Sequence, residues 1–574
     1  MKLLLKYLKP YKWFIAVALT IKTSATLVEL FIPYIMSHIL DNVVPQKNVQ
    51  KILLWGICMI LCALAGCIGN IVANRMAART AKNSTEGIRH DLFTKIMSLS
   101  SAQVDRFTIP SLESRLTSDT YHLHHLVGMS MRMGVRAPIL LIGGIIMTLW
   151  MDPALTLIML VIAPFIALVV IFISRKGIPL FKKTQGSLDA MTRIVREDSQ
   201  GIRVIKALSK TDYEKRKFDR ANLALVADEK KAGITMAASN PMVTFLLNFG
   251  LVSVIVAGAI RVRGGDTDPG TIVAFIQYFT LISNAMMALA RIFVNSTKAM
   301  ASAARINEVI NTEPDLRIER EEKYPAVKTD ALISFKNVSF SYLGKKNNLS
   351  DISFELPRGG SLGIIGATGS GKTTLLQLLM RFYDVDEGEI RIGGRDLRTI
   401  PHEELNSMFG VVMQNDFIFL GSIADNIKFG RDISDEAMRL GAAVAQAAEY
   451  IEAYEDGYDH PLQSKGTNLS GGQRQRLLIS RALAGSPEIL ILDDASSALD
   501  YKTDARLRRA IRENFSDITT IVVAQRVSSV MNCDRVVVLE EGRIIGYGTH
   551  EELLSSCSIY KEISDSQIGG AILD

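Results

Sequence analysis

Five cysteines in 574 residues are too few, and too scattered, for a disulfide framework or a zinc site. Cys58, Cys62 and Cys67 lie inside an apolar run, while Cys533 and Cys557 stand alone, so they read as buried free thiols in a reducing compartment. Charge of one sign is scarce too. The net charge of +6 is too small to argue for nucleic acid as a partner. The excess reads instead as lysine and arginine facing anionic lipid on the cytoplasmic side of a membrane. The N-terminus, MKLLLKYLKPYKW, lacks a cleavable signal pattern. Its Lys2, Lys6, Lys9 and Lys12 alternate with leucine and tyrosine, as in a short helix lying on a membrane surface.

Apolar residues are abundant. They make up 48% of the chain, and mean hydropathy is +0.20. The excess sits in the first 300 residues or so, where six runs at about 13–40, 52–73, 135–150, 154–173, 242–260 and 271–294 reach or approach the ~20 residues that a bilayer requires. The third run extends backwards past Met129. The connections at 41–51, 151–153 and 261–269 are short. Those at 74–124 and 174–241 are long and basic. The first carries Arg75, Arg79, Lys82, Arg89 and Lys95, and the second Lys182, Lys183, Arg193, Arg196, Lys215, Arg216 and Lys217. The positive-inside rule places both long segments and the N-terminus in the cytoplasm, with Arg261 and Arg263 outvoted on the outer side. The long segments have few helix breakers, so the helices are expected to continue beyond the membrane. A non-helical patch is expected at VDRFTIPSLESRLTSD and a bend at SKTDYEKRKF.

Composition changes near residue 311. NTEPDLRIEREEKYPAVKTD is charged and proline-containing, a linker over about 311–330 between a membrane domain at 1–310 and a second domain at 331–574. In the second domain short apolar runs such as SLGIIG, GVVMQ, EILILDD and TTIVVAQ alternate with helix-like stretches, the pattern of an α/β domain with a largely parallel sheet.

GATGSGKTT (Gly366, Ala367, Thr368, Gly369, Ser370, Gly371, Lys372, Thr373, Thr374) follows a strand-like run and opens an apolar helix. It matches the phosphate-loop pattern in its required context. Glycines let backbone N–H groups close around phosphates, and the helix N-terminus adds its positive end. Lys372 is expected to reach the β- and γ-phosphates of ATP, and Thr373 to ligate Mg²⁺. ILILDD adds a second magnesium element, Asp493, at the end of a buried strand. LSGGQRQR places Ser470, Gly471, Gly472 and Gln473 ahead of a helix, a second anion-binding terminus; alone it would pass for a plain helix cap.

The order and spacing of these motifs resemble ATP-binding cassette (ABC) proteins, and the remainder of that family's pattern is present. Tyr342 in VSFSY matches the aromatic that stacks on adenine. Gln414 in VVMQND matches the glutamine that senses Mg²⁺ and contacts the membrane domain. SALD (residues 497–500) matches the loop crossing the dimer interface, and CDRVVVLEEGRIIGYGTHEELL the closing segment. The first half resembles the family's exporters in layout: six long helices, an N-terminal elbow, and a bend at 111–120. The resemblance implies an α-helical membrane domain of six long transmembrane helices fused to an α/β P-loop nucleotide-binding domain of ABC type. It also implies a bacterial inner-membrane location, ATP and Mg²⁺ as cofactors, and a second half-transporter chain as partner, because each ATP lies between the phosphate loop of one chain and the signature of the other.

Two positions depart from the pattern. Most members have glutamate, which polarises the attacking water, where this chain has Asp494. The family's usual switch histidine is Gln525 here. Aspartate is shorter by one methylene, and a misplacement of about 1 Å can cost on the order of 10²-fold in rate. Glutamine still hydrogen-bonds a phosphate but carries no positive charge. The loop LQSKGTNLSGG also lacks the acidic, glycine-flanked form of many relatives. The combination resembles one half of heterodimeric bacterial exporters, with Asp494 and Gln525 in a slow site and Ser470–Gln473 completing the partner's fast one. A homodimer with a slow but working aspartate is the alternative.

Among cargoes, a multidrug or lipid-like amphiphile leads. A lipid flippase would share every motif, and a regulated channel on this scaffold stays open. A peptide exporter with an N-terminal protease is disfavoured because the chain starts close to its first span. Lys22 and Glu29, two helical turns and about 10 Å apart on one face, form a polar wall of a substrate cavity, a structural pair, or an ion pair with another helix. Met129, Met131, Met133, Met286 and Met287 suit an adaptable apolar surface or ordinary packing. Arg291 and Asn295 could meet an anionic group or reach the interface by snorkelling.

Overall fold

The computed structural model describes residues 2–342, 344, 347–495 and 497–568; the end of the second domain as bounded from sequence, 569–574, lies outside the described residues. The chain forms two compact units. One comprises Met1–Ser98 and Ile109–Thr312, the other Leu99–Thr108 and Glu313–Asp574.

Among the described residues the first unit is helical, with six helical stretches long and apolar enough to cross a membrane: Leu3–Gln46, Val49–Met97, Ile109–Met151, Pro153–Gln200, Thr211–Gly264 and Pro269–Ile310. The long helices tolerate interior prolines, Pro33 in the first span and Pro164 and Pro179 in the fourth, and the starts of two of them are set by caps. Asn48 accepts from the Lys51 N–H at 3.2 Å to open Val49–Met97. Asp152 accepts from the Ala154 and Leu155 N–H groups, and Pro153 takes the first position of Pro153–Gln200, where its missing N–H costs nothing. Only 6% of the most apolar stretch of Val49–Met97 is buried. Leu53, Leu54, Ile57, Ile60, Leu61 and Leu64 are all exposed there, a contiguous patch for which hydrocarbon is the fitting solvent.

One expectation is revised at the border of this unit, and two groups of charges within it find their partners. Residues 104–119 are helical apart from a break at Thr108, whose φ is +63°. Pro110 sits in the first turn of helix Ile109–Ser114, which tolerates proline. The backbone widens into a π-helical turn at Arg115–Asp119. Of the readings open for Lys22 and Glu29, partners on other helices hold. Lys22 is 4% exposed and donates to Asn70 Oδ1 (2.7 Å) and Asn74 Oδ1 (3.1 Å) of the second span, whereas Glu29 pairs with Arg136 at 2.6 Å. Arg261, counted against the membrane orientation, donates to the buried Asp152 carboxylate at 3.0 Å, which neutralises it.

The second unit is built on strands. In chain order they are β1 (Ala331–Phe340), β2 (Leu349–Pro357), β3 (Ser361–Gly366), β4 (Glu387–Ile392), β5 (Arg395–Asp396), β6 (Phe409–Val412), β7 (Gly421–Ser422), β8 (Pro461–Leu462), β9 (Ile489–Asp493), β10 (Thr519–Val523), β11 (Arg535–Glu540) and β12 (Arg543–Gly548). The main sheet runs β12-β11-β3-β10-β9-β6, parallel except for β12 at its edge. An antiparallel sheet, β2-β1-β4-β5, lies beside it in the fold. The central strands are apolar throughout because helices cover both faces of a parallel sheet. Leu362, Ile364, Ile489, Ile491 and Ile521 are fully buried with Leu375 and Leu376 of the helix after β3. Each such side chain contributes about 1.5–3 kcal/mol on burial. The C-terminal ends of β3, β9 and β10 are adjacent, and a ligand site belongs at that edge of an open α/β sheet.

Candidate functional site

The loop 366–371 leaves β3 and enters helix Lys372–Leu379. Gly371 has φ +103°, and a Cβ there would lie 2.6 Å from Leu349 Cδ2, so only glycine fits the turn. Gly366 is as constrained, with a Cβ position 2.2 Å from the Leu539 carbonyl oxygen. Lys372 Nζ folds over the loop and donates to the Gly366 and Ala367 carbonyl oxygens, each at 2.8 Å. Burial pushes its pKa down, and the nearby Asp493 and Asp494 carboxylates oppose that shift.

Along a strand, successive side chains point to opposite faces. Asp493 closes β9, and Asp494 leaves the strand with φ +53°, a left-handed turn worth about 1 kcal/mol or more in strain. The turn lets both carboxylates line one cavity. It is held by the Asp494 N–H donating to the Val523 carbonyl (2.9 Å) and by Gln475 Nε2 donating to the Asp494 carbonyl (3.1 Å). Burial raises the pKa of both acids. For Asp493 the neighbouring Asp494 adds to the rise, while Lys372, Thr373 and the Gln414 backbone pull it down; for Asp494 the opposing charges are Arg526 and Lys372.

The cavity holds about 260 Å³ and is lined by Asn348, Thr368, Gly369, Gly371, Lys372, Thr373, Thr374, Gln414, Asp493, Asp494, Val523, Ala524 and Gln525. It therefore brings Lys372, Thr373, Gln414, Asp493, Asp494 and Gln525 into one wall, although they come from four segments of the chain. Asp493 Oδ2 is buried there without a hydrogen-bond partner. An unsatisfied anionic oxygen beside the Thr373 hydroxyl and the Gln414 amide is an all-oxygen donor set, which suits a hard divalent cation such as Mg²⁺. Tyr342 is not in the wall. Its hydroxyl bonds to Thr374 Oγ1 and Gln377 on the helix that starts the site, and its ring packs edge-on to Phe340 and Tyr383.

Ser470, Gly471, Gly472 and Gln473 do not line this cavity. Ser470 and Gln473 form a capping box on helix Gly471–Leu483: Ser470 Oγ accepts from the Gln473 N–H (3.2 Å) and the Gln473 side chain accepts from the Ser470 N–H (2.8 Å). Gly472 lies against the Ala498 carbonyl. The signature thus keeps an N-terminal positive end turned to something other than its own phosphate loop.

Several positions escaped the sequence reading. Asn348 enters the cavity wall from the turn before β2. Gln475 bridges the Asp494 carbonyl and the Ala498 N–H. Gln567, on helix Ser558–Ile568, donates to the Gln525 carbonyl (2.9 Å) and accepts from the Val527 N–H (2.8 Å), fixing the switch loop from forty residues downstream. No local pattern marks these glutamines; only the LSGGQRQR motif puts Gln475 near the site.

Two family models match the chain: "ABC transporter transmembrane region" over residues 15–286 and "ABC transporter" over residues 349–497. The ABC transporter ATP-binding protein YfiB of Bacillus subtilis is 35% identical over 568 residues, which is 98% of each chain. The ABC transporter ATP-binding protein Rv1273c of Mycobacterium tuberculosis is 34% identical over 577 residues, again 98% of each. Among solved structures, a bacterial Atm1-family ABC exporter with ATP bound aligns with a TM-score of 0.78 at 22% identity, covering 97% of this chain and 98% of that one.

Proposed function

The chain belongs to the ABC transporter family, and we propose that it is one half of an ATP-driven exporter of amphiphilic molecules, drugs or lipid-like, that pairs with a different half-transporter. Membership makes it an ATP-hydrolysing transporter chain with the fold of the family's exporters. In this reading residues 1–310 form the membrane domain, 311–330 the linker and 331–574 the nucleotide domain. The N-terminus and nucleotide domain lie on the cytoplasmic side of a bacterial inner membrane, where the basic loops belong.

The observation that carries the reading is the composition of the cavity wall. Lys372, Thr373 and Asp493 are all present to hold ATP and Mg²⁺, yet the groups expected to activate water are Asp494 and Gln525; Tyr342, outside the wall and bonded to Thr374, would serve adenine. Asp494 has the charge of a general base but less reach. Gln525 can hydrogen-bond the γ-phosphate but not stabilise developing negative charge with a charge of its own. Binding is thus supported more fully than hydrolysis. The signature Ser470–Gln473, by contrast, is intact in sequence and opens a capped helix, whose N-terminal end is of the kind that receives phosphates, here those bound to a partner chain.

The test is kinetic. Purified alone, the chain should bind a fluorescent ATP analogue and hydrolyse ATP slowly; with its partner, hydrolysis should rise and should depend on Ser470. Brisk hydrolysis by the chain alone, abolished by Asp494→Asn, would establish the homodimer instead.

A further inference from the structure

The membrane unit carries cations where hydrocarbon would exclude them. Lys22 is satisfied by Asn70 and Asn74, and Arg136 by Glu29. Arg132 precedes Arg136 by four residues, so a second arginine lies close to this pair along the third span. Arg132 and Arg291 differ from the others. The Arg132 guanidinium donates only to the Gly128 carbonyl of its own helix, and among the described residues no carboxylate pairs with either arginine. Both are exposed, as is Lys298, two turns after Arg291 and also without a carboxylate partner.

The two arginines share a level. The third and sixth spans touch where Asn295 Nδ2 approaches Met129 Sδ at 3.6 Å. The sixth span runs antiparallel to the third, being separated from it by an odd number of crossings. Arg132 lies three residues after Met129 and Arg291 four residues before Asn295. Helical rise puts them about 4.5 and 6 Å to the same side of that contact, within about 60° of its line. Helix Arg136–Met151 runs to the short connection at Asp152, so Arg136 sits about 22 Å or more from that end of the span. By the same rise Arg132 lies about 30 Å from that end, at the inner edge of a hydrocarbon layer about 30 Å thick. Exposed guanidinium groups without a carboxylate partner at that level are within reach of an anionic group, whether it arrives through a wet cavity or from a lipid head group.

We propose that the transport path of this half-transporter is selective for amphiphiles with an anionic head group, a phosphate or carboxylate, received by Arg132 and Arg291 with Lys298 at the cytoplasmic entrance. The assignment rests on the exporter reading above. Guanidinium forks match the two oxygens of a phosphate or carboxylate. Glu29 is taken by Arg136, and among the described residues no carboxylate neutralises Arg132, Arg291 or Lys298. The apolar tail would lie along the spans on either side.

The transporter, isolated with whatever partner accompanies it, is reconstituted in liposomes with NBD-labelled phosphatidic acid or the same lipid bearing phosphocholine. In parallel, dodecyl phosphate and dodecyl phosphocholine are added from water. ATP-driven movement or ATPase stimulation should favour the anionic member of at least one pair by tenfold or more in half-maximal concentration. The lipid pair and the soluble pair separate a membrane source from an aqueous one. Arg132→Gln with Arg291→Gln should erase most of that preference, and Arg132→Lys with Arg291→Lys should keep it. The parent's preference is itself decisive if the glutamine variant does not accumulate. Equal or better handling of the phosphocholine probes, or a preference that survives the glutamine variant, overturns the head-group assignment and leaves the exporter reading standing. Absence of ATP hydrolysis by the isolated particle removes both.

Discussion

Asp494 and Gln525 differ from the family's usual pair by one methylene and one ionisable ring, and the consequences follow from chemistry at that size. Asp494→Glu restores reach, so the ATPase rate of the isolated chain should rise by an order of magnitude or more, the scale of a displacement of about 1 Å. An unchanged rate would mean that Asp494 is not what limits the site. Asp493 gives a prediction in pH. Burial and Asp494 raise its pKa, so ionising it costs the folded state stability. That cost is absent below the ordinary aspartate pKa of about 3.9, where both states are protonated, and complete once pH exceeds the raised folded value. Asp493→Asn should therefore melt at a higher temperature than the parent at pH 7.5 without nucleotide, and the gap should close toward pH 4 in a thermal-shift series. Lys372, Thr373, Gln414, Asp493, Asp494 and Gln525 were legible in sequence because each lies in a short motif whose strand–loop context fixes its direction. Asn348 and Gln567 were not, since long-range packing alone carries them to the site.

At the scale of elements, the switch loop after β10 is held by a helix from the end of the described chain. Gln567→Ala removes both bonds to the loop while leaving the phosphate loop untouched. It should lower kcat several-fold with KM for ATP within about twofold, and Gln567→Asn, one methylene short, should not rescue it. A change in KM alone would assign Gln567 to packing. The phosphate loop and the parallel strands were plain in the sequence because periodicity and glycine spacing are local. The helical course of 104–119 differs from the non-helical patch expected there: a proline such as Pro110 is compatible with a helix when it falls in the first turn, and sequence does not say where that turn starts. The Lys22–Glu29 reading allowed for an ion pair with another helix, which Glu29 makes, but could not name the neighbours. One face of a helix can meet two different helices, and only tertiary structure says that Asn70 and Arg136 are the partners.

At the scale of the molecule, the six spans and the α/β unit follow from hydropathy and strand alternation, and the division into two units follows the change in composition near residue 311 except for Leu99–Thr108. That segment belongs with the second unit: Tyr383 donates to Asp105 at 2.6 Å, Ser100 to Asp315 at 2.8 Å, and Gln103 to the Glu313 carbonyl at 2.7 Å. No periodicity in the first half could announce it, because its partners lie over two hundred residues away. The central claim is that a slow nucleotide site in this chain is matched to a competent one elsewhere. Native mass spectrometry of the particle extracted from its own membrane tests it most directly. The account predicts two unlike chains in equal number, the second with glutamate and histidine at the positions of Asp494 and Gln525. A particle of two identical copies hydrolysing ATP at full speed would contradict it.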